Sequence, residues 1–139
     1  MSSWNYKLAK IGEELPKLKI EPISRANLAL YAGASGDHNP LHIDPDHANR
    51  IGFKDVIAHG MLVMGYLGRI LTNNINQSQI LEYNVKFISI TNIGDQLTCS
   101  GIVKKILKNE NQKKIELDLT VKNQFNDVKL SGCSLIQIQ

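Results

Sequence analysis

The run of hydrophobic periods predicts an α+β domain, with helices packed on one face of an antiparallel sheet. Three observations carry this. The first half of the chain holds helix caps and turn residues, a dense apolar stretch begins at Gly60, and beyond Gln79 apolar and polar residues alternate with a period of two. At 139 residues the chain has room for one core, so residues 1–139 are expected to form a single domain.

Taken in order, Ser24 is placed to cap a helix running from Arg25 to Ala32, with Leu28, Tyr31 and Ala32 on one side and Gly33 and Gly36 near its end. A polar turn follows, Ser35-Gly36-Asp37-His38-Asn39-Pro40. Asp44 then offers an N-cap with Pro45 at the first helical position, which predicts a short helix over 46–51 stopped by Gly52. From Gly60 to Leu71 the residues are apolar almost all round apart from Arg69, the mark of a helix enclosed by other structure. This run is too short to cross a bilayer, which takes about 20 apolar residues, so no membrane partner is expected.

Strands are expected where Leu81, Tyr83, Val85 and Phe87 alternate with Glu82, Asn84 and Lys86, where Leu97, Cys99, Gly101 and Val103 recur, over 115–122, and over 128–138. The turn residues at 92–95, 108–112 and 123–127 suit connections between neighbouring antiparallel strands, so a meander against one buried helix is expected.

Composition narrows the function classes. With 42% hydrophobic and 21% charged residues the chain matches ordinary globular usage, which argues against disorder. Sixteen basic against 13 acidic residues leave a net charge of +3, spread along the chain without an aromatic stacking platform, so nucleic acid is not an expected partner. Cys99 and Cys133 stand far apart, which fits buried thiols and neither a zinc ribbon nor a disulfide framework. Residues 1–16 show charges and no apolar run of the export type, so the cytoplasm is the expected compartment.

Three of the four histidines lie between His38 and His47, among Asp37, Asp44 and Asp46. His38 and His42 have a ligand-like spacing, but Pro40 breaks any shared helical face, and no metal is expected. Asp37 and His42 flank the Asn39-Pro40 break, which can fold a carboxylate and an imidazole toward one small molecule. An ordinary Asx turn with an exposed His accounts for the same residues. His59-Gly60 heads the apolar helix, where open N–H groups and the helix dipole suit a developing oxyanion; a plain entry turn explains the pair equally. Gly65 and Gly68 either leave a groove for a slender apolar chain or permit close packing.

The stretch Tyr31-Ala32-Gly33-Ala34-Ser35-Gly36-Asp37-His38-Asn39-Pro40-Leu41-His42-Ile43-Asp44, with Ala58-His59-Gly60-Met61, resembles the MaoC-like dehydratases, also called (R)-specific enoyl-CoA hydratases or hydratase 2. The likeness extends through residues 81–87 and the last strands. It implies a hotdog fold, in which a curled antiparallel sheet wraps a long central helix, usually in a dimer whose sheets run on into each other. It also implies reversible hydration of enoyl thioesters or dehydration of (R)-3-hydroxyacyl thioesters, on coenzyme A or acyl carrier protein, with no cofactor.

By that resemblance Asp37 and His42 are the catalytic pair, the Gly60 amide is the oxyanion donor, and Asn39, His59, Met61 and Gly65 border the substrate. His38 occupies a variable position and Gly68 stands where some relatives carry a hydroxyl residue. The competing expectations are a non-catalytic acyl-binding subunit of a hotdog heterodimer and a hotdog thioesterase.

Overall fold

The computed structural model describes residues 3–138. Among the described residues, four α-helices and five strands follow one another as β1 (Leu18–Lys19), α1 (Arg25–Ser35), α2 (Pro40–Ile43), α3 (Pro45–Arg50), α4 (Gly60–Thr72), β2 (Ile80–Phe87), β3 (Thr98–Asn109), β4 (Gln112–Lys122) and β5 (Val128–Ile138), with short 3-10 turns at Tyr6–Leu8 and Gln77–Gln79. All pairings are antiparallel and the strand order is β1-β3-β4-β5-β2. Bulges at Val103/Lys105, Ile80/Glu82 and Val121/Lys122 add local twist and bend. The sheet curls over α4 in the hotdog arrangement.

Alternation dictates the inner face: Cys99 and Val103 from β3, Ile115, Leu117, Leu119 and Val121 from β4, and Leu130 and Ile136 from β5 are buried. Against them α4 lays Val63, Leu67, Ile70 and Leu71, each at most 1% exposed. Burying such a side chain is worth about 1.5–3 kcal/mol. The two thiols fall as expected, Cys99 buried and Cys133 half-buried. Burial pushes the Cys99 thiol up to about 12.

Helix starts follow the caps. Ser24 Oγ accepts from the Asn27 amide at 3.1 Å, Asn39 Oδ1 from Leu41 at 3.0 Å, and Asp44 Oδ1 from Asp46 and His47. Gly36, at φ 79°, closes α1 in the left-handed conformation that glycine adopts without strain.

Three expectations need correction. The strands beyond residue 80 do not form one continuous meander: β2 pairs with β5, and β3 pairs with β1 and β4. The 88–97 connection, read as a short turn between neighbours, instead crosses the end of the barrel-like curl. Its first half is tied to the segment before α4, Ala58 N–H donating to the Thr91 carbonyl at 2.9 Å. Its second half is tied near β1, Ile23 N–H donating to Asp95 and Ile20 N–H to Leu97.

Second, α4 is not enclosed on all sides within one chain, since Met61 is 58% exposed and Gly65 and Arg69 also face outward. Third, β2 forms an edge of the sheet, and it leaves Leu81 and Phe87 exposed although they alternate correctly.

Candidate active site

The site is built where the ends of α1, α2 and α4 meet. After Gly36 reverses the chain, Ser35 Oγ accepts from the Asp37 amide, and Asp37 Oδ1 accepts from the Asn39 amide at 3.2 Å. These turns bring α2 back so that His42 faces the segment before α4. There His42 Nδ1 lies 2.8 Å from the Ile57 carbonyl. A carbonyl only accepts, so Nδ1 carries the proton and the lone pair of the neutral ring sits on Nε2.

His59, 1% exposed, spends its Nε2–H on the Asp37 carbonyl at 3.1 Å. Its Nδ1 is buried without a partner. The two imidazoles stack with centroids 4.0 Å apart and planes 26° apart, and the Tyr31 ring meets His59 edge-on at 4.7 Å. Burial lowers the pKa of His59, and the neighbouring His42 lowers it further, against an opposing pull from the Asp37 carbonyl. His59 is therefore a neutral platform under His42.

Asp37, His42 and His59 each bring one potential ligand atom within 4.8 Å of the others. Metal ligands must aim in-plane lone pairs at one point. Each ring already gives one nitrogen to a carbonyl, and the remaining nitrogen of His59 is buried. The cluster suits the handling of protons better than the coordination of an ion.

Gly60 opens α4. The N-cap residue His59 makes no side-chain bond to the first turn, so the Gly60 N–H keeps the open valence of a helix start. A side chain at position 60 would put its Cβ 2.9 Å from the Phe87 ring. Glycine thus lets β2 and the helix start close together.

Beside His42 and Gly60 lies a cavity of about 320 Å³, mostly apolar, walled by Ile57, Ala58, Val63 and Leu130 and by the consecutive residues Phe87 to Thr91. That is the low end of small-molecule pockets.

The structure gathers Asp37, His42, His59 and Gly60. Asp37 is exposed and sits beside the cavity without lining it in the single chain. It does not bring the other three expected residues to the cavity. The Asn39 side chain is spent capping α2, and Met61 and Gly65 lie on the outward face of α4. A Cβ at position 68 would stand 3.5 Å from the Tyr83 ring, in ordinary contact, and one at position 65 would meet nothing within 4 Å, so close packing within this chain requires neither glycine. Sequence reasoning missed the wall from Phe87 to Thr91. Its signal was Phe87-Ile88-Ser89-Ile90, an apolar run that breaks the strand's alternation.

Comparison with known proteins agrees with this geometry. The family described as "MaoC like domain" matches residues 7–124. Among curated relatives, the mitochondrial 3-hydroxyacyl-[acyl-carrier-protein] dehydratase of Arabidopsis thaliana is 31% identical over 115 residues, 83% of this chain and 67% of that protein. The (R)-specific enoyl-CoA hydratase of Rhodospirillum rubrum is 36% identical over 83 residues, covering 58% of each chain. The chain thus spans between about half and two thirds of the length of these two relatives. Among solved structures, the unliganded R-hydratase PhaJ1 from Pseudomonas aeruginosa superposes with a TM-score of 0.82 at 25% identity, over 96% of this chain and 89% of that one. With the matched domain extending over most of its length, its sheet curled over one helix and His42 and His59 stacked at that helix's start, this chain belongs to the MaoC-like family.

Proposed function

We propose that the chain reversibly hydrates trans-2-enoyl thioesters to (R)-3-hydroxyacyl thioesters. The observation that carries this is the convergence of Asp37 and His42 beside a partly open, mostly apolar cavity that Gly60 helps to line. The relatives named as dehydratase and hydratase support the same class.

In the hydration direction the thioester carbonyl accepts a hydrogen bond from Gly60 N–H. This draws electron density from the double bond and stabilises the enolate-like state; one such donor is typically worth about 3 kcal/mol. A water between Asp37 and His42 gives one proton to His42 Nε2 as its oxygen bonds to the β-carbon, while the Asp37 carboxylate holds its other hydrogen. The imidazolium then returns the proton to the α-carbon, so the base is regenerated and one water is consumed. Dehydration reverses these steps. Stacking on neutral His59 keeps the His42 ring in place through both transfers.

The carrier is either coenzyme A or acyl carrier protein, which offer the same thioester. The outer edge of β2 and the exposed Leu81 and Met61 form the seat for a second hotdog chain, in a homodimer or a heterodimer.

The test is loss of enoyl absorbance with crotonyl-CoA and with the matching carrier-protein thioester. Asp37→Asn and His42→Ala should each lower turnover by about a hundredfold or more while the protein stays folded. Near-normal turnover in either variant overturns the assignment of the pair. Release of free thiol without hydration would point to a thioesterase. Acyl-thioester binding without turnover would point to a non-catalytic subunit.

A further inference from the structure

Away from the catalytic cluster lies a buried ion pair, Lys129 Nζ to Asp95 Oδ2 at 3.6 Å, with side chains 5% and 7% exposed. A well-packed apolar pair is often as stable as a buried ion pair, so stability alone does not explain one here. What an ammonium adds is donors. Lys129 Nζ donates to the Ile90 carbonyl at 2.7 Å, and the Lys129 backbone carbonyl accepts from the Ile88 amide at 2.9 Å and the Ser89 amide at 3.4 Å. One residue of β5 therefore grips three consecutive residues of the crossing segment.

Asp95 holds the far end of the same segment. Its carboxylate accepts from the Asn92 amide at 2.8 Å and from Asn123 Nδ2 at 3.4 Å. Between these anchors, Thr91 receives Ala58 N–H, and Asn92 bridges Ile57, whose carbonyl orients His42. The gripped residues Ile88, Ser89 and Ile90, with Thr91 next to them, are a wall of the cavity.

We propose that Lys129 and Asp95 act as a positioning clamp that sets where this wall stands, and through it the acyl length the cavity accepts. The length preference rests on the enoyl-thioester reading above; the clamp itself does not. Neither residue touches substrate.

The test is the double variant Lys129→Met/Asp95→Asn, which removes both charges without burying either alone and leaves an acceptor for the Asn92 amide. Two readouts are taken on protein whose Leu117 and Leu119 amides remain protected from hydrogen exchange. The amides of Ile88 and Ala58 should exchange at least about tenfold faster than in the wild type. The ratio of kcat/KM for crotonyl-CoA to that for octenoyl-CoA should shift by at least about fivefold, a change that general destabilisation would not produce.

Unchanged exchange overturns the clamp, and an unchanged ratio with faster exchange overturns its role in selectivity. If the double variant does not fold, Lys129→Arg carries the same readouts, since a guanidinium keeps Asp95 paired but is too broad to repeat the contact with Ile90. A wild type that hydrates no enoyl thioester overturns the functional reading and the length preference with it, while the exchange measurement still decides whether the clamp exists.

Discussion

His59 shows how a single side chain couples stability to the site. Burial holds its pKa below the ordinary value of 6.5. Above that pH both the folded and unfolded forms are neutral, and its packing contributes in full. As pH falls through 6.5 toward the lower folded value, the unfolded chain takes up a proton that the folded one resists, so stability is lost on acidification. His59→Gln should lower stability by about 1–2 kcal/mol at pH 8 through loss of its hydrogen bond and packing. The gap in Tm between wild type and variant should narrow toward pH 5. A gap that stays constant from pH 8 to pH 5 would show that the imidazole does not titrate against folding.

Part of this scale was legible: the Asn39-Pro40 break between Asp37 and His42, and the His59-Gly60 pair at the head of α4, are written in local turn and cap chemistry. What could not be read was which atoms are already spent. Asn39 reads both as a turn residue and as a border of the substrate, and its bond from Leu41 N–H shows the turn role, while the His42-on-His59 stack joins residues from two separate loops.

Among the elements, α4 and β2 meet where the chemistry is proposed. Because a Cβ at position 60 would crowd Phe87, Gly60→Ala forces a cavity wall to move while the helix itself gains propensity, about 0.5–1 kcal/mol in a helix interior and less at this end. The expected result is kcat/KM reduced by about tenfold or more with Tm within a few degrees of wild type. A proportionate fall of Tm and activity would instead mark Gly60 as structural only.

Helix and strand periods were legible because caps and alternation are written over a few residues, as with Ser24, Asp44-Pro45 and the Ile115 to Val121 rhythm. Two elements left little trace: β1 spans two residues and α2 four. The strand order was hidden for another reason. Turn residues at 92–95 look alike in a hairpin and in a crossing, and only the long-range partners of Ala58, Ile20 and Ile23 distinguish them.

For the whole molecule, an unpaired edge at β2 beside exposed Leu81, Met61 and Phe87 is an apolar surface of the kind that partners cover. Light scattering at micromolar concentration should give twice the 15.5 kDa chain mass if a second copy is the partner. Leu81→Asp should return the single-chain mass. A monodisperse 15.5 kDa wild type would leave the homodimer without support and favour a different hotdog chain.

Because β2 finds its partner in β5, with Ser134 Oγ donating to the Glu82 carbonyl 52 residues back along the sequence, the order of synthesis matters. A nascent chain carries every residue of the Asp-His motif long before it can enclose anything. Until the ribosome has released β5, Leu130 and the Lys129 grip are missing and the cavity has no floor. Fragments cut short of β5 would therefore keep the motif's chemistry on paper and lack the chamber in which to use it.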